Sequence, residues 1–261
     1  MSGEETVGPW AAIPEIAKVT LRQLLGRRRT LLLVILSLLP VLLAVAFRLA
    51  GPGEGGGPTE VERFSRRVFD TISMTILLPL VAILFGTGAF GSEIDDGTIV
   101  YLLAKPLPRW IVVLAKALSA VTVAVLLTGV ATALAGAIDL FPSGSDGILA
   151  TEAQVFAMVV GSACYVSVFL ALSLFTRRAL VIGIGYMLVW EGALSFMLPG
   201  IANLSIRQYA LGAAKAIYDL PLQEARLSAE TALLLAGIAV GAALLIAVWR
   251  LTRFELPGGS D

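Results

Sequence analysis

The sequence predicts an all-α integral membrane protein with six transmembrane helices. Three observations carry that prediction. Hydrophobic residues make up 57% of the 261-residue chain and charged residues only 15%, where a soluble domain carries about 25% charged. Mean hydropathy is +0.89. The apolar residues gather into six runs, at approximately 30–50, 68–90, 111–138, 153–175, 179–200 and 229–250, and a helix of roughly 20 apolar residues crosses a bilayer. Placing the N-terminus inside puts 12 of the 19 Lys and Arg on the inner side, the direction of the positive-inside bias.

The chain divides into a cytoplasmic N-terminus (1–29), a six-span membrane region (30–250) and a cytoplasmic tail (251–261). Within the N-terminus, residues 13–25 have helical periodicity. Ile13, Ala17, Leu21 and Leu24 share one face, and Glu15, Lys18 and Arg22 share another. Pro14 suits a first helical turn. Such a helix lies in the membrane interface with its basic side toward lipid phosphates. Arg27, Arg28 and Arg29 abut the first span and hold its inner end in the cytoplasm. The same triplet, followed by an apolar run and Ala-Val-Ala, also has the form of a cleaved leader. The run continues to about Ala50 and five more follow, so a retained first span is expected.

Pro40 and Pro79 fall inside spans one and two, where proline kinks a helix. The tether 51–58, GPGEGGGP, follows span one. Span three is longer than a bilayer requires. The loop 139–152 carries three acids and no base, as an outer loop should. A short outer helix is expected over 203–218, where Ile206, Tyr209, Ala210, Ala213 and Ile217 share a face. Arg48 and Asp70 sit at the outer ends of spans one and two, where a surface ion pair is expected. Glu191 is the one acid well inside a span. Its alternatives are a contact on the substrate path, or a carboxyl hydrogen-bonded to a neighbouring helix.

Several chemistries are excluded or unsupported. The chain has no histidine, which removes His-dependent triads and the usual zinc and haem ligands. Its one cysteine, Cys164, forms no disulfide within the chain. No G-x-x-x-x-G-K-[ST] loop occurs, so no nucleotide site is recognisable. Net charge is zero, which gives no argument for nucleic acid.

The stretch 91–116, GSEIDDGTIVYLLAKPLPRWIVVLAK, breaks the apolar pattern. Glu93, Asp95 and Asp96 precede Gly97, which permits a bend. Ile99, Leu102 and Leu103 follow with helical spacing and form a short apolar face. The acids suit the N-terminus of that short helix, whose dipole favours negative charge. Pro106 ends it, and Arg109 and Lys116 lie where basic side chains snorkel to phosphates. Two or three carboxylates could hold a cation, but no other acidic motif on this side completes a site. An exposed apolar strip argues for a docking partner.

The pattern Glu93-x-x-x-Gly97-Thr98, Leu102-Leu103, Pro106, Arg109 and Lys116 resembles the signature of permease subunits of exporter-type ATP-binding-cassette transporters, the second ABC exporter family. The six-span layout, the basic amphipathic N-terminal helix and the short helix before span six agree with it, so the resemblance covers nearly the whole chain. It implies that residues 13–25, with Lys18, Arg22 and Arg27–Arg29 on the membrane surface, form an elbow helix. Residues around Gly97–Ala104 would form a coupling helix that docks on a separate ATPase subunit. ATP and Mg would be bound by that subunit, with no cofactor and no catalysis in this chain. A second copy or a related permease would complete the transporter in the plasma membrane. Asp95, Asp96 and Pro108 are departures from the pattern, and Glu191 maps onto no part of it. The alternatives are a secondary transporter or channel, which would show inverted repeats, and a membrane-embedded enzyme, which would need more intramembrane polar groups.

Overall fold

The computed structural model describes residues 12–25, 28–50, 60–103, 107–194, 204–221 and 226–253. Every regular element among them is helical. Among the described residues, five helices are long and apolar enough to cross a membrane: Thr30–Leu49, Val61–Asp95, Arg109–Asp139, Ser145–Ser173 and Ala229–Thr252. The expected span at 179–200 begins at Ala179 and is helical through Leu194. Its continuous apolar part, Ala179–Glu191, is shorter than a crossing, and residues 195–203 lie outside the described ones.

Helix α1 (Ala12–Leu25) has Glu15 in its first turn and Arg22 in its last, the order the helix dipole favours. Leu24 and Thr20 are buried, while Lys18 and Arg22 are exposed. The inner face packs on the third span, where the Ser119 hydroxyl donates to the Ala17 carbonyl at 3.3 Å. Arg27 lies outside the described residues, as do the side chains of Arg28 and Arg29. Thr30 ties the start of span one to α1 by donating to the Leu24 carbonyl at 2.5 Å.

Span one is broken in two, α2 (Arg28–Ser37) and α3 (Leu39–Ala50). The break falls at Leu38, two residues before Pro40, whose missing N–H cannot continue the ladder. Leu38 N instead donates to Ile35 O at 3.1 Å, and the Ser37 hydroxyl donates to Val34 O at 2.7 Å. The helical ladder is thus interrupted beside Pro40.

Span two is longer than expected. It runs from α4 (Glu60–Phe64) through a π-helical stretch (Ser65–Leu77) into α5 (Leu78–Asp95). The hydroxyls of Thr71 and Thr75 reach back five residues, to the carbonyls of Arg66 and Asp70. In α5 the Thr87 hydroxyl reaches back four, to Ile83. Pro79 sits in the first turn of α5, so the winding changes where a missing N–H is tolerated.

The five-residue α6 (Ile99–Leu103) precedes α7 (Arg109–Asp139). At 1.5 Å per residue α7 is about 46 Å long, more than the ~30 Å hydrocarbon core. The loop expected at 139–152 is much shorter than the sequence implied. A 3₁₀ turn (Phe141–Ser143) and Gly144, at φ +72°, lead directly into α8 (Ser145–Ser173). The turn is tight enough that a Cβ on Gly147 would collide with the Leu140 carbonyl. Asp139 and Asp146 thus belong to helix ends. Beyond α9 (Ala179–Tyr186) lies a second π-helical stretch (Met187–Leu194), then α10 (Ile206–Ala214) and α11 (Ala229–Thr252). Ser205 and Ser228 cap the last two by accepting from the backbone of Gln208 and Thr231.

Helix α8 is the hub and packs against α5, α7, α10 and α11. Small residues let the backbones approach, as membrane helices require. A Cβ on Gly86 would lie 2.9 Å from both Phe169 Cβ and Val166 O, and one on Gly161 would lie 2.6 Å from Leu78. The outer faces of the first span and α11 are bare and apolar, with Leu32, Ile35 and Leu42 on one and Leu234, Ile238 and Leu245 on the other. Gly86→Val should destabilise the α5–α8 contact by about 1–3 kcal/mol. Gly237→Val, where nothing lies within 4 Å, should be near neutral; thermal unfolding of both variants in detergent checks the contrast.

Candidate functional site

Polar groups concentrate at the two opposite ends of the bundle. At the α6 end, α5 runs through Asp95, with Asp96 as its cap and Gly97 at φ +68° turning the chain. The three acids therefore occupy the C-terminal end of α5, and not the mouth of the next helix as the sequence suggested. The dipole there disfavours negative charge. Asp95 and Asp96 meet that cost in solvent, both being exposed. Glu93 meets it with a counter-ion.

That counter-ion is Lys116. Its Nζ donates to Glu93 Oε1 at 2.8 Å and to the Ala89 carbonyl at 2.6 Å, and lies 4.9 Å from the centre of the Phe90 ring. The Lys116 side chain is 1% exposed and that of Glu93 13%. The sequence placed Lys116 among phosphates at the surface. The structure turns it inward because one turn of α5 offers a carboxylate, a backbone carbonyl and an aromatic face together. Glu93 and Lys116 thus clamp the end of span two to the start of span three.

Helix α6 hangs from this clamp. The Thr98 hydroxyl donates to the Glu93 carbonyl at 3.5 Å. Ile99, expected on an exposed docking face, is 4% exposed and joins the core. A five-residue helix starting at the bundle surface turns one side chain under itself. Among the described side chains of α6, the exposed apolar ones are Val100 and Tyr101, the latter 76% exposed. Neither stands out in the sequence, since one short turn carries too little periodicity to distinguish its faces. Leu102 and Leu103 complete α6, but their side chains lie outside the described residues, as does Pro106. Arg109 opens α7 and is half-buried.

At the other end of the bundle, Glu191 is bound to the neighbouring helix. It accepts from Ile206 N at 3.0 Å, from the Tyr186 hydroxyl at 3.1 Å and from the Ser205 hydroxyl. Its carboxylate thus seats on the N-terminus of α10, which the dipole favours. Asp70 accepts from Arg207 Nη2 at 2.5 Å. The expected partnership of Asp70 with Arg48 gives way to this one, and Arg48 is exposed. The signal for Arg207 was absent from the sequence, because 137 residues separate it from Asp70.

These groups border a cavity of about 400 Å³ between both π-helical stretches, α8 and α10, whose lining includes Asp70, Met74, Tyr165, Glu191, Arg207 and Arg226. Among the described residues, no three His, Cys, Asp or Glu side chains gather into a metal-sized cluster.

A helical bundle of several membrane crossings, with a clamped short helix at one end and a polar cavity at the other, defines a polytopic membrane protein of the transporter type. The chain belongs to the ABC-2 family of transporter proteins, whose family model matches residues 15–227. It is a multi-pass membrane permease of an ABC transporter. A comparison with curated proteins finds no match.

Removing one partner of a buried pair leaves an uncompensated charge. Lys116→Ala should therefore cost about 3–5 kcal/mol, measured by unfolding of the full chain in detergent. The double variant Glu93→Gln/Lys116→Met should lose less than the two single changes combined.

Proposed function

We propose that the chain is the membrane-spanning subunit of an exporter, driven by a separate ATPase subunit that binds ATP and Mg. In this reading the chain crosses the plasma membrane six times, with both termini and α6 in the cytoplasm. The excess of Lys and Arg on that side supports the orientation. Helix α1 is the elbow helix and lies along the cytoplasmic leaflet, with Lys18 and Arg22 toward phosphates and its other face on α7. Helix α6 is the coupling helix. Two permease subunits, identical or related, make the pathway with two ATPase subunits, and this chain catalyses no reaction itself.

The observation that carries the reading is the Glu93–Lys116 clamp beside an exposed Val100 and Tyr101. An apolar surface of that kind on a short helix is a liability without a partner. The clamp gives a partner mechanical purchase, because spans two and three are joined at the point where α6 leaves them. A groove on the ATPase that closes on Val100 and Tyr101 would move both spans together.

Val100→Asp/Tyr101→Asp in the assembled transporter should abolish transport-coupled ATP hydrolysis, with the permease's own melting temperature unchanged. Transport at the wild-type rate by that double variant, or by a preparation with no nucleotide-binding subunit, overturns the proposal.

A further inference from the structure

At the α6 end of the bundle, the turn 174–178 after α8 meets the last turns of α11. The contact is a guanidinium on a ring: Arg250 Cζ lies 5.6 Å from the centre of the Phe175 ring. One turn further along α11, Arg253 Cζ lies 4.4 Å from the centre of the Trp249 ring. Both distances are within cation–π reach. Arg177 and Arg178 lie in the same turn as Phe175, and both are exposed. The segments 174–182 and 231–254 hold no Asp or Glu. Among the described residues, no acid forms an ion pair with Arg177, Arg178 or Arg253. Asp95 borders a small pocket with Arg177 and is itself exposed, and Glu255 lies outside the described residues.

A ring contact uses the flat face of a guanidinium and leaves its in-plane N–H groups for an acceptor. Phosphate oxygens fit that planar fork. Phe175 and Trp249 are themselves exposed, and aromatic rings at the end of a membrane helix mark the headgroup level. From that level toward the middle of the bundle, α9 bares Val181 and Ile182, and α11 bares Leu245 and Ile246. The arginines are thus continuous with apolar faces that run along the crossing direction. An acidic protein surface would complement the arginines and leave those faces unused, whereas a lipid uses both.

We infer that this corner of the bundle binds an anionic phospholipid of the surrounding bilayer. The lipid phosphate takes hydrogen bonds from Arg250 and Arg253, whose planes the two rings hold. Arg177 and Arg178 supply further positive charge beside it, and the acyl chains lie along the bare faces of α9 and α11. Basic sites between membrane helices, at the bilayer surface, hold such heads. The inference stands apart from the ATPase reading, because lipid binding to the permease alone reports on it.

The test is native mass spectrometry of the purified full-length chain in detergent. The probes are phosphatidylglycerol, phosphatidylcholine of the same acyl chains, and glycerol 3-phosphate, which has the phosphate and no chains. Phosphatidylglycerol should bind about tenfold more tightly than either of the others. Arg250→Gln/Arg253→Gln and Arg177→Gln/Arg178→Gln should each weaken it by about tenfold, with phosphatidylcholine binding unchanged. The second pair has exposed side chains outside any described ion pair, so its melting temperature should not move. Arg48→Gln, at the opposite end of the bundle, should leave phosphatidylglycerol affinity unchanged. Equal affinity for the two lipids overturns the anionic head, and equal affinity for glycerol 3-phosphate overturns the part given to the chains. Wild-type affinity in either double variant, or an equal loss in Arg48→Gln, overturns the assigned site. In the assembled transporter, loss of the ATPase subunit from both double variants with phosphatidylglycerol affinity intact makes the occupant an acidic protein surface and overturns the lipid.

Discussion

Inside a bilayer, no water is available to hydrogen-bond a backbone amide or carbonyl. That constraint governs the local structure of this chain more than any single contact. It accounts for the uniformly helical described elements and for the way irregularities are repaired. At Pro40 the ladder fails, and the Leu38 amide and Ser37 hydroxyl shift to nearby carbonyls. In the π-helical part of span two, Thr71 and Thr75 return their hydroxyls five residues back. At the turn between the third and fourth spans, Ser143 N and Gly144 N donate to Leu140 O and Phe141 O.

The same constraint restricts charge. Glu93 sits at a helix C-terminus, where the dipole opposes it, and is held by a lysine that also reaches a carbonyl of that turn. Glu191 sits at a helix N-terminus, where the dipole supports it and the Ile206 amide donates to it. The two acids have opposite solutions because they meet opposite ends of a helix. Exposed acids such as Asp95 and Asp96 need neither solution.

These differences show what the sequence made legible. Hydropathy located five of the expected spans among the described residues, because length and apolarity are properties of a contiguous run. Proline marked the break in the first span for the same local reason. Pairings were not legible. Glu93 finds Lys116 across 23 residues and Asp70 finds Arg207 across 137, and no periodicity encodes a contact between helices. Helix boundaries near charges were also misplaced. The acids of 139–152 suggested a loop, yet most of that segment is the first part of α8, since a long helix emerging from the membrane can carry acids in its aqueous turns. The winding of span two left no sequence mark at all.

Span two connects the two polar ends. The helix from Glu60 to Asp95 carries Asp70 near one end and Glu93 near the other, roughly 35 Å apart at 1.5 Å per residue. Along α5 it is locked to α8 by the close approach at Gly86. In the coupling proposed above, a push on Glu93 by way of α6 meets this close packing along α5. Above Pro79 the winding becomes π-helical, and the helix leaves the tight α5–α8 seam for the cavity wall. The part of span two that is least regular is thus the part that borders the cavity, and the part that is most tightly packed connects it to the clamp. The π-helical part of span two lies where the polar groups of Asp70, Arg207 and Tyr165 gather. In the coupling proposed above, span two divides into a closely packed shaft along α8 and a π-helical wall at the cavity.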